Sequence, residues 1–137
     1  MTKVNRRNFI KQSSVALAGA GLLSTLPADS IAQKSNTMFV HHVYFWLKNA
    51  GSKEDHARLL KGLKSLQKIE TIKMSHIGVP ADTNRDVIDT SYQFSWLLMF
   101  NNRKDQDVYQ NHPVHLKFVE ECSHLWTKVI VYDSVDV

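Results

Sequence analysis

Ser91–Phe100, SYQFSWLLMF, decides the fold. Read with a period of two, it sorts its side chains cleanly. Tyr92, Phe94, Trp96, Leu98 and Phe100 share one face, and Ser91, Gln93, Ser95, Leu97 and Met99 share the other. Strict alternation with aromatic enrichment marks a β-strand, because successive side chains of extended backbone point to opposite sides. A face of five large apolar groups must pack against helices or line a cavity. The second face ends in Leu97 and Met99, so it too asks for cover.

Upstream, MFVHHVYFWLK (38–48) gives a strand of the same kind. Phe39, His41, Val43, Phe45 and Leu47 fall on one side, with Val40, His42, Tyr44 and Trp46 on the other. Apolar on both faces, it belongs in the middle of a sheet. Between these two, SKEDHARLLKGLKSLQKI (52–69) predicts a helix. Ser52 followed three residues later by Asp55 is a capping signal, and Ala57, Leu59, Leu60, Leu63 and Leu66 recur at helical spacing. Gly62 either weakens this helix or lets a neighbour come close. TIKMSHIGV (71–79) alternates as another strand, ended by Pro80, and PADTNRDVID (80–89) is rich in turn formers.

Downstream, NNRKDQDVYQN (101–111) predicts a short helix with an asparagine cap. HPVHLKFVEECSHLW (112–126) predicts a second, with His112 as cap and Pro113 at its first position, where a missing N–H costs nothing. Phe118, Val119, Cys122, Leu125 and Trp126 form its apolar stripe, and TKVIVYDSV (127–135) closes as a strand. The order βαββαβ is the ferredoxin-like arrangement, an α+β fold with an antiparallel sheet packed by helices on one face. The other face carries too many apolar groups to stay wet, so a second copy's sheet is its expected cover and a homodimer is expected.

Charge separates the chain into two parts. Residues 1–32 hold four of the 17 Lys and Arg and one of the 13 Asp and Glu, a net of +3, which leaves +1 for residues 33–137. The sequence pI of 9.2 therefore reflects the N-terminus. No basic stripe for nucleic acid remains. NRRNFIK (5–11), the apolar run Ser13–Leu26 and the small residues Ser30 and Ala32 read as an export signal over 1–32, then a linker over 33–37 and one domain over 38–137. Arg6-Arg7 followed by Phe9, Ile10 and Lys11 resembles the bacterial twin-arginine signal, with Asn5 and Ile10 as mild departures. The resemblance implies the twin-arginine machinery as a transient partner, a periplasmic destination and no membrane span once the signal is removed. The single cysteine, Cys122, permits no intramolecular disulfide and reads as a small core residue.

The chemistry-bearing stretch is YQNHPVHLKF (109–118). Pro113 breaks one helix and starts the next, which places His115 in the first turn and lets Tyr109 approach from across the break. The positive helix N-terminus disfavours imidazolium, so His115 is expected neutral and able to accept a proton.

Together HHVYFWLK (41–48), SYQFSWLLMF, YQNHPVH (109–115) and WTKVIVYDS (126–134) resemble the stress-responsive A/B barrel domain family over roughly 38–134. The resemblance implies a dimer whose sheets form a barrel, with a pocket in each subunit between sheet and helices. In a plant member that closes a polyketide chain by aldol condensation, a tyrosine and a histidine of the matching element act as oxyanion partner and general base. Those positions are Tyr109 and His115 here. The family's first-strand histidine matches His41, and Phe94 stands where that cyclase has a further histidine. The expected pocket lining is His41, Val43, Phe45, Phe94, Trp96, Leu98 and Trp126.

Three readings stay open. His115 as base and Tyr109 as oxyanion donor would serve a lyase- or cyclase-type reaction on a small hydrophobic or aromatic molecule, or would merely bind it. His41, His112 and His115 would bind a metal or haem, although no carboxylate or thiol is spaced to help and no cofactor is otherwise implied. Or the element is structural, with His112 capping and the other rings packing.

Overall fold

A computed structural model describes residues 37–137. The expected export signal over 1–32, and the linker as far as residue 36, lie outside the described residues. The elements run β1 (Phe39–Leu47), α1 (Lys53–Leu66), β2 (Met74–Gly78), β3 (Phe94–Phe100), α2 (Arg103–Gln110), α3 (Pro113–Cys122) and β4 (Trp126–Val135), with a short 3₁₀ turn at Ser123–Leu125 before β4. The four strands pair in the order β2-β3-β1-β4, each antiparallel to its neighbour. This is the expected ferredoxin-like α+β fold.

The alternation read from the sequence sets the layers. Along β1, residues 39, 41, 43, 45 and 47 are buried beneath the helices and the intervening ones are half-exposed. Phe94, Trp96, Leu98 and Phe100 of β3 lie beside them in register. α1 adds Leu59, Leu63 and Leu66, while α3 adds His115, Phe118 and Cys122. Caps form where the sequence placed them. Ser52 Oγ accepts from Asp55 N–H at 3.1 Å, Asn102 Oδ1 from Asp105 N–H at 2.9 Å and His112 Nδ1 from Val114 N–H at 3.1 Å. Each satisfies an amide that the first helical turn leaves orphaned.

Gly62 is where α1 meets α3. A Cβ there would lie 2.8 Å from both Cys122 Sγ and Phe118 Cδ2. Of the two roles open to this glycine, close approach is the one observed.

Three boundaries differ from the sequence expectation. β3 starts at Phe94, not Ser91: Gln93 N–H still donates to the Phe45 carbonyl at 2.9 Å, but before it side chains take the ladder positions. Asp89 Oδ1 accepts from Ser91 N–H, and Gln93 bridges from its own Oε1, accepting from Leu47 N–H, to the Ser91 carbonyl. β2 spans five residues, fewer than the expected 71–79. α3 stops at Cys122, because the Leu125 carbonyl accepts from Lys48 N–H at 2.9 Å and the chain is already joining β1.

Trp126 then enters β4 through a bulge. Trp46 pairs with Lys128 but Leu47 with Trp126, so Thr127 is an extra residue. Side chains alternate along a strand, so the insertion turns Trp126 onto the helix side with Leu47. It stacks on Phe118 with centroids 5.9 Å apart.

The opposite face of the sheet carries Val40, His42, Tyr44 and Trp46 with Leu97, Met99, Ile130 and Tyr132, and no element among the described residues covers it. His76, Leu97, His42 and Tyr132 form one cross-strand row on it. No helix among the described residues is long and apolar enough to cross a membrane.

Candidate functional site

A cavity of about 170 Å³ opens between the sheet and the α2–α3 joint. His41, Val43 and Phe45 of β1 and Trp96 of β3 form its floor. Tyr109, Gln110, His115 and Phe118 cover it, and Trp126, Val129 and Val131 wall the β4 side. At ~30 Å³ per water molecule the space suits a small ligand. Five of the seven expected lining residues are present. Phe94 and Leu98 are corrections, for both are buried on the right face without lining the cavity. The cavity lies over β1 and β4, so of β3 only Trp96 reaches it. Phe94 instead faces the His56 ring of α1, with centroids 5.4 Å apart.

Tyr109, at the end of α2, is 1% exposed. Trp96 Nε1–H donates to its hydroxyl at 3.1 Å. Burial pushes the phenol pKa up to about 12, with the Trp96 bond working against the rise. The hydroxyl therefore keeps its proton across the physiological range and can donate it.

His115 sits in the first turn of α3, facing inward. Its Nδ1 lies 3.0 Å from the Gln110 carbonyl, one of the carbonyls left unpaired where α2 ends. A carbonyl only accepts, so Nδ1 carries the hydrogen, and in the neutral ring Nε2 is the bare nitrogen. The His115 pKa is lowered, first by burial, and further by His41 and His112, against the opposing Gln110 bond. The expected neutral state holds. Its leading cause is desolvation, where the sequence suggested the helix end.

His41 completes the group. Its Nδ1–H donates to Asp133 Oδ1 at 2.6 Å, which fixes the ring from behind in the manner of a carboxylate-held imidazole. The Tyr109 ring stands between the two histidines, 6.0 Å from His41 and 4.8 Å from His115 between centroids. His112 stays out of the cavity, with Nδ1 capping α3 and Nε2 3.6 Å from Glu70. The trio His41, His112 and His115 is therefore not assembled as a ligand set. No group of three His, Cys, Asp or Glu among the described residues could hold a metal ion.

Asp133 and Gln110 are site residues that the sequence reading missed. Asp133 had a signal: antiparallel pairing of the first and last strands sets it opposite His41. Gln110 had none, since only its backbone acts. A larger depression of about 440 Å³ lies between α1 and α3, lined by Arg58, Lys61 and Glu121. Its one thiol, Cys122, has its pKa pushed up, first by burial and then by Glu121, which disfavours the reactive thiolate.

The profile of the stress-responsive A/B barrel domain matches residues 39–136. The chain belongs to that family. Among solved structures, a ferredoxin-like family member from Mesorhizobium loti is 24% identical, with a TM-score of 0.62 over 74% of this chain and 98% of that one. A dimeric ferredoxin-like protein of unknown function from Thermobifida fusca is 14% identical, with a TM-score of 0.60 over 73% and 92%. The hydroxynitrile lyase of Passiflora edulis is 19% identical, with a TM-score of 0.61 over 73% and 94%. These likenesses show the fold. No curated protein matches the chain.

Proposed function

We propose that this stress-responsive A/B barrel protein is exported by the twin-arginine route, works as a periplasmic homodimer, and binds a small hydrophobic or aromatic molecule in the cavity of each subunit. The observation that carries the binding reading is the pairing of a protonated Tyr109 hydroxyl with an unprotonated His115 Nε2 among apolar walls. A few placed polar groups in an apolar recess are what a specific small-molecule site requires. The uncovered apolar sheet face supports the dimer, as do dimeric relatives from Thermobifida fusca and Bacteroides fragilis. The twin arginine at Arg6–Arg7 supports the export route.

A lyase- or cyclase-type reaction is a second reading, favoured by the fixed tautomer of His115 and by the lyase from Passiflora edulis among the relatives. His115 Nε2 would take a proton from an O–H or activated C–H of the substrate, and Tyr109 would donate to the oxygen on which charge grows.

Native mass spectrometry of protein recovered from the periplasm tests the first reading. Twice the subunit mass plus a small bound molecule is expected, and an empty monomer at micromolar concentration would end it. His115→Ala separates binding from catalysis. A catalytic role predicts lost turnover with an unchanged melting temperature, and unfolding of the variant would make the residue structural.

A further inference from the structure

We propose that Trp96 is a positioning residue, whose indole N–H occupies the Tyr109 oxygen and so fixes the phenolic hydrogen on the cavity side, ready for an acceptor atom of the ligand. This rests on the reading of the cavity as a ligand site.

Both partners are 1% exposed, so water does not compete for the bond. An indole nitrogen only donates, so in the 3.1 Å contact the phenol oxygen must accept. The phenol still has its own hydrogen, and Trp96 is its one hydrogen-bond partner among the described residues. Tyr109 and Trp96 both line the cavity, so the hydrogen is left for whatever enters. Accepting one bond also polarises the O–H and strengthens the one it donates. Trp96 thus sets the direction of the Tyr109 hydroxyl without itself having to touch the reacting atoms.

The same geometry narrows the ligand class. The cavity offers a donor, from Tyr109, the bare Nε2 of His115, and the Nε2 of His41, whose Nδ1 is taken by Asp133. No Lys or Arg lines it, so a carboxylate or phosphate would find no permanent counter-charge. The fitting occupant is a small apolar molecule with one uncharged acceptor, such as an aldehyde, a ketone or a nitrile.

Benzonitrile is a suitable probe, because its C≡N stretch moves to higher wavenumber when the nitrogen accepts a hydrogen bond. Bound to the purified protein, it should show that shift. Tyr109→Phe should abolish the shift and serves as the benchmark. Trp96→Phe should return the band most of the way towards the Tyr109→Phe position and weaken binding about three- to tenfold, the worth of one neutral hydrogen bond. A wild-type band in Trp96→Phe overturns the positioning role while leaving the ligand site intact. No binding to the wild type sinks the ligand-site reading itself. If Trp96→Phe does not fold, benzothienylalanine at position 96 keeps the ring, exchanges N–H for sulfur and carries the same expectations. Independently, the indole proton resonance of Trp96 should move upfield in Tyr109→Phe, and an unmoved resonance also overturns the proposal.

Discussion

Gly62→Ala sets two terms of opposite sign against each other. In an exposed helix interior, alanine is worth about 1 kcal/mol more than glycine. Here the new methyl would come within 2.8 Å of Cys122 Sγ and Phe118 Cδ2 and 2.9 Å of Phe118 Cε2, closer than real Cβ contacts allow. Neither neighbour yields easily. Cys122 is a short side chain on α3, and the Phe118 ring is held by Phe45 at 6.4 Å, Trp126 at 5.9 Å and His115 at 6.4 Å between centroids. Overpacking a filled core costs about 1–3 kcal/mol, and two such contacts place this site in the upper part of that range. After the propensity gain, a net loss of about 1–2 kcal/mol remains. For a domain of this size, that lowers the melting temperature by roughly 5–12 °C. Thermal unfolding followed by circular dichroism reads it directly. Gly51→Ala is the control, since a Cβ there meets nothing within 4 Å, and it should leave the midpoint nearly unchanged. The easiest relief moves Phe118 towards the cavity it lines, so Gly62→Ala should also weaken small-ligand binding. A Gly62→Ala variant as stable as the wild type would refute the packing argument.

Acidification should destabilise the domain. His115 and His42 both have lowered pKa values in the fold, burial being the first cause in each. The unfolded chain then takes up protons first, so stability is full above about pH 6.5 and falls below it. Urea midpoints at pH 7.5 and 5.5 measure the drop, which His115→Gln should reduce. Ser52→Ala removes the Asp55 N–H acceptor at the start of α1 and should cost about 1 kcal/mol in the same titration. Asp133→Ala frees His41 Nδ1, so the imidazole ¹⁵N resonances should shift from the Nδ1-protonated pattern towards a tautomer mixture. The carboxylate is half-exposed, and the stability change should stay under about 1 kcal/mol.

Period-two patterning made the sheet legible from sequence, because burial selects every second side chain on β1 and, from Trp96 onward, on β3. His112 and Pro113 marked the start of α3 through local chemistry alone. The misplaced ends have non-local causes. Ser91–Gln93 alternates like a strand and Gln93 N–H still donates to the Phe45 carbonyl, but the Asp89 and Gln93 side chains take the Ser91 backbone groups and the Leu47 N–H, and the last turn expected of α3 is claimed by the end of β1. The site divides the same way. Tyr109, His115 and His41 stand out as residue types in a recognisable arrangement. Trp96 and Phe94 share a face and a chemistry, and only the docking of α2 and α3 decides which of them meets the cavity. Asp133 becomes visible only when the first and last strands are laid side by side.

The bulge at Thr127 has a consequence for how such cavities change. Trp126 reaches the cavity because the pairing steps over one residue, and not because of what flanks it. Straightening the bulge with Thr127 kept would set Thr127 opposite Leu47 and send this indole to the opposite side of the sheet, opening the end wall with every cavity residue still in the chain. Deleting Thr127 would instead leave Trp126 opposite Leu47 in a regular ladder and keep the wall. Pairing register is therefore a control on cavity size that substitution scans of the lining residues would never sample. Two relatives with identical cavity residues, one with the bulge and one without it at the same strand length, would enclose different spaces.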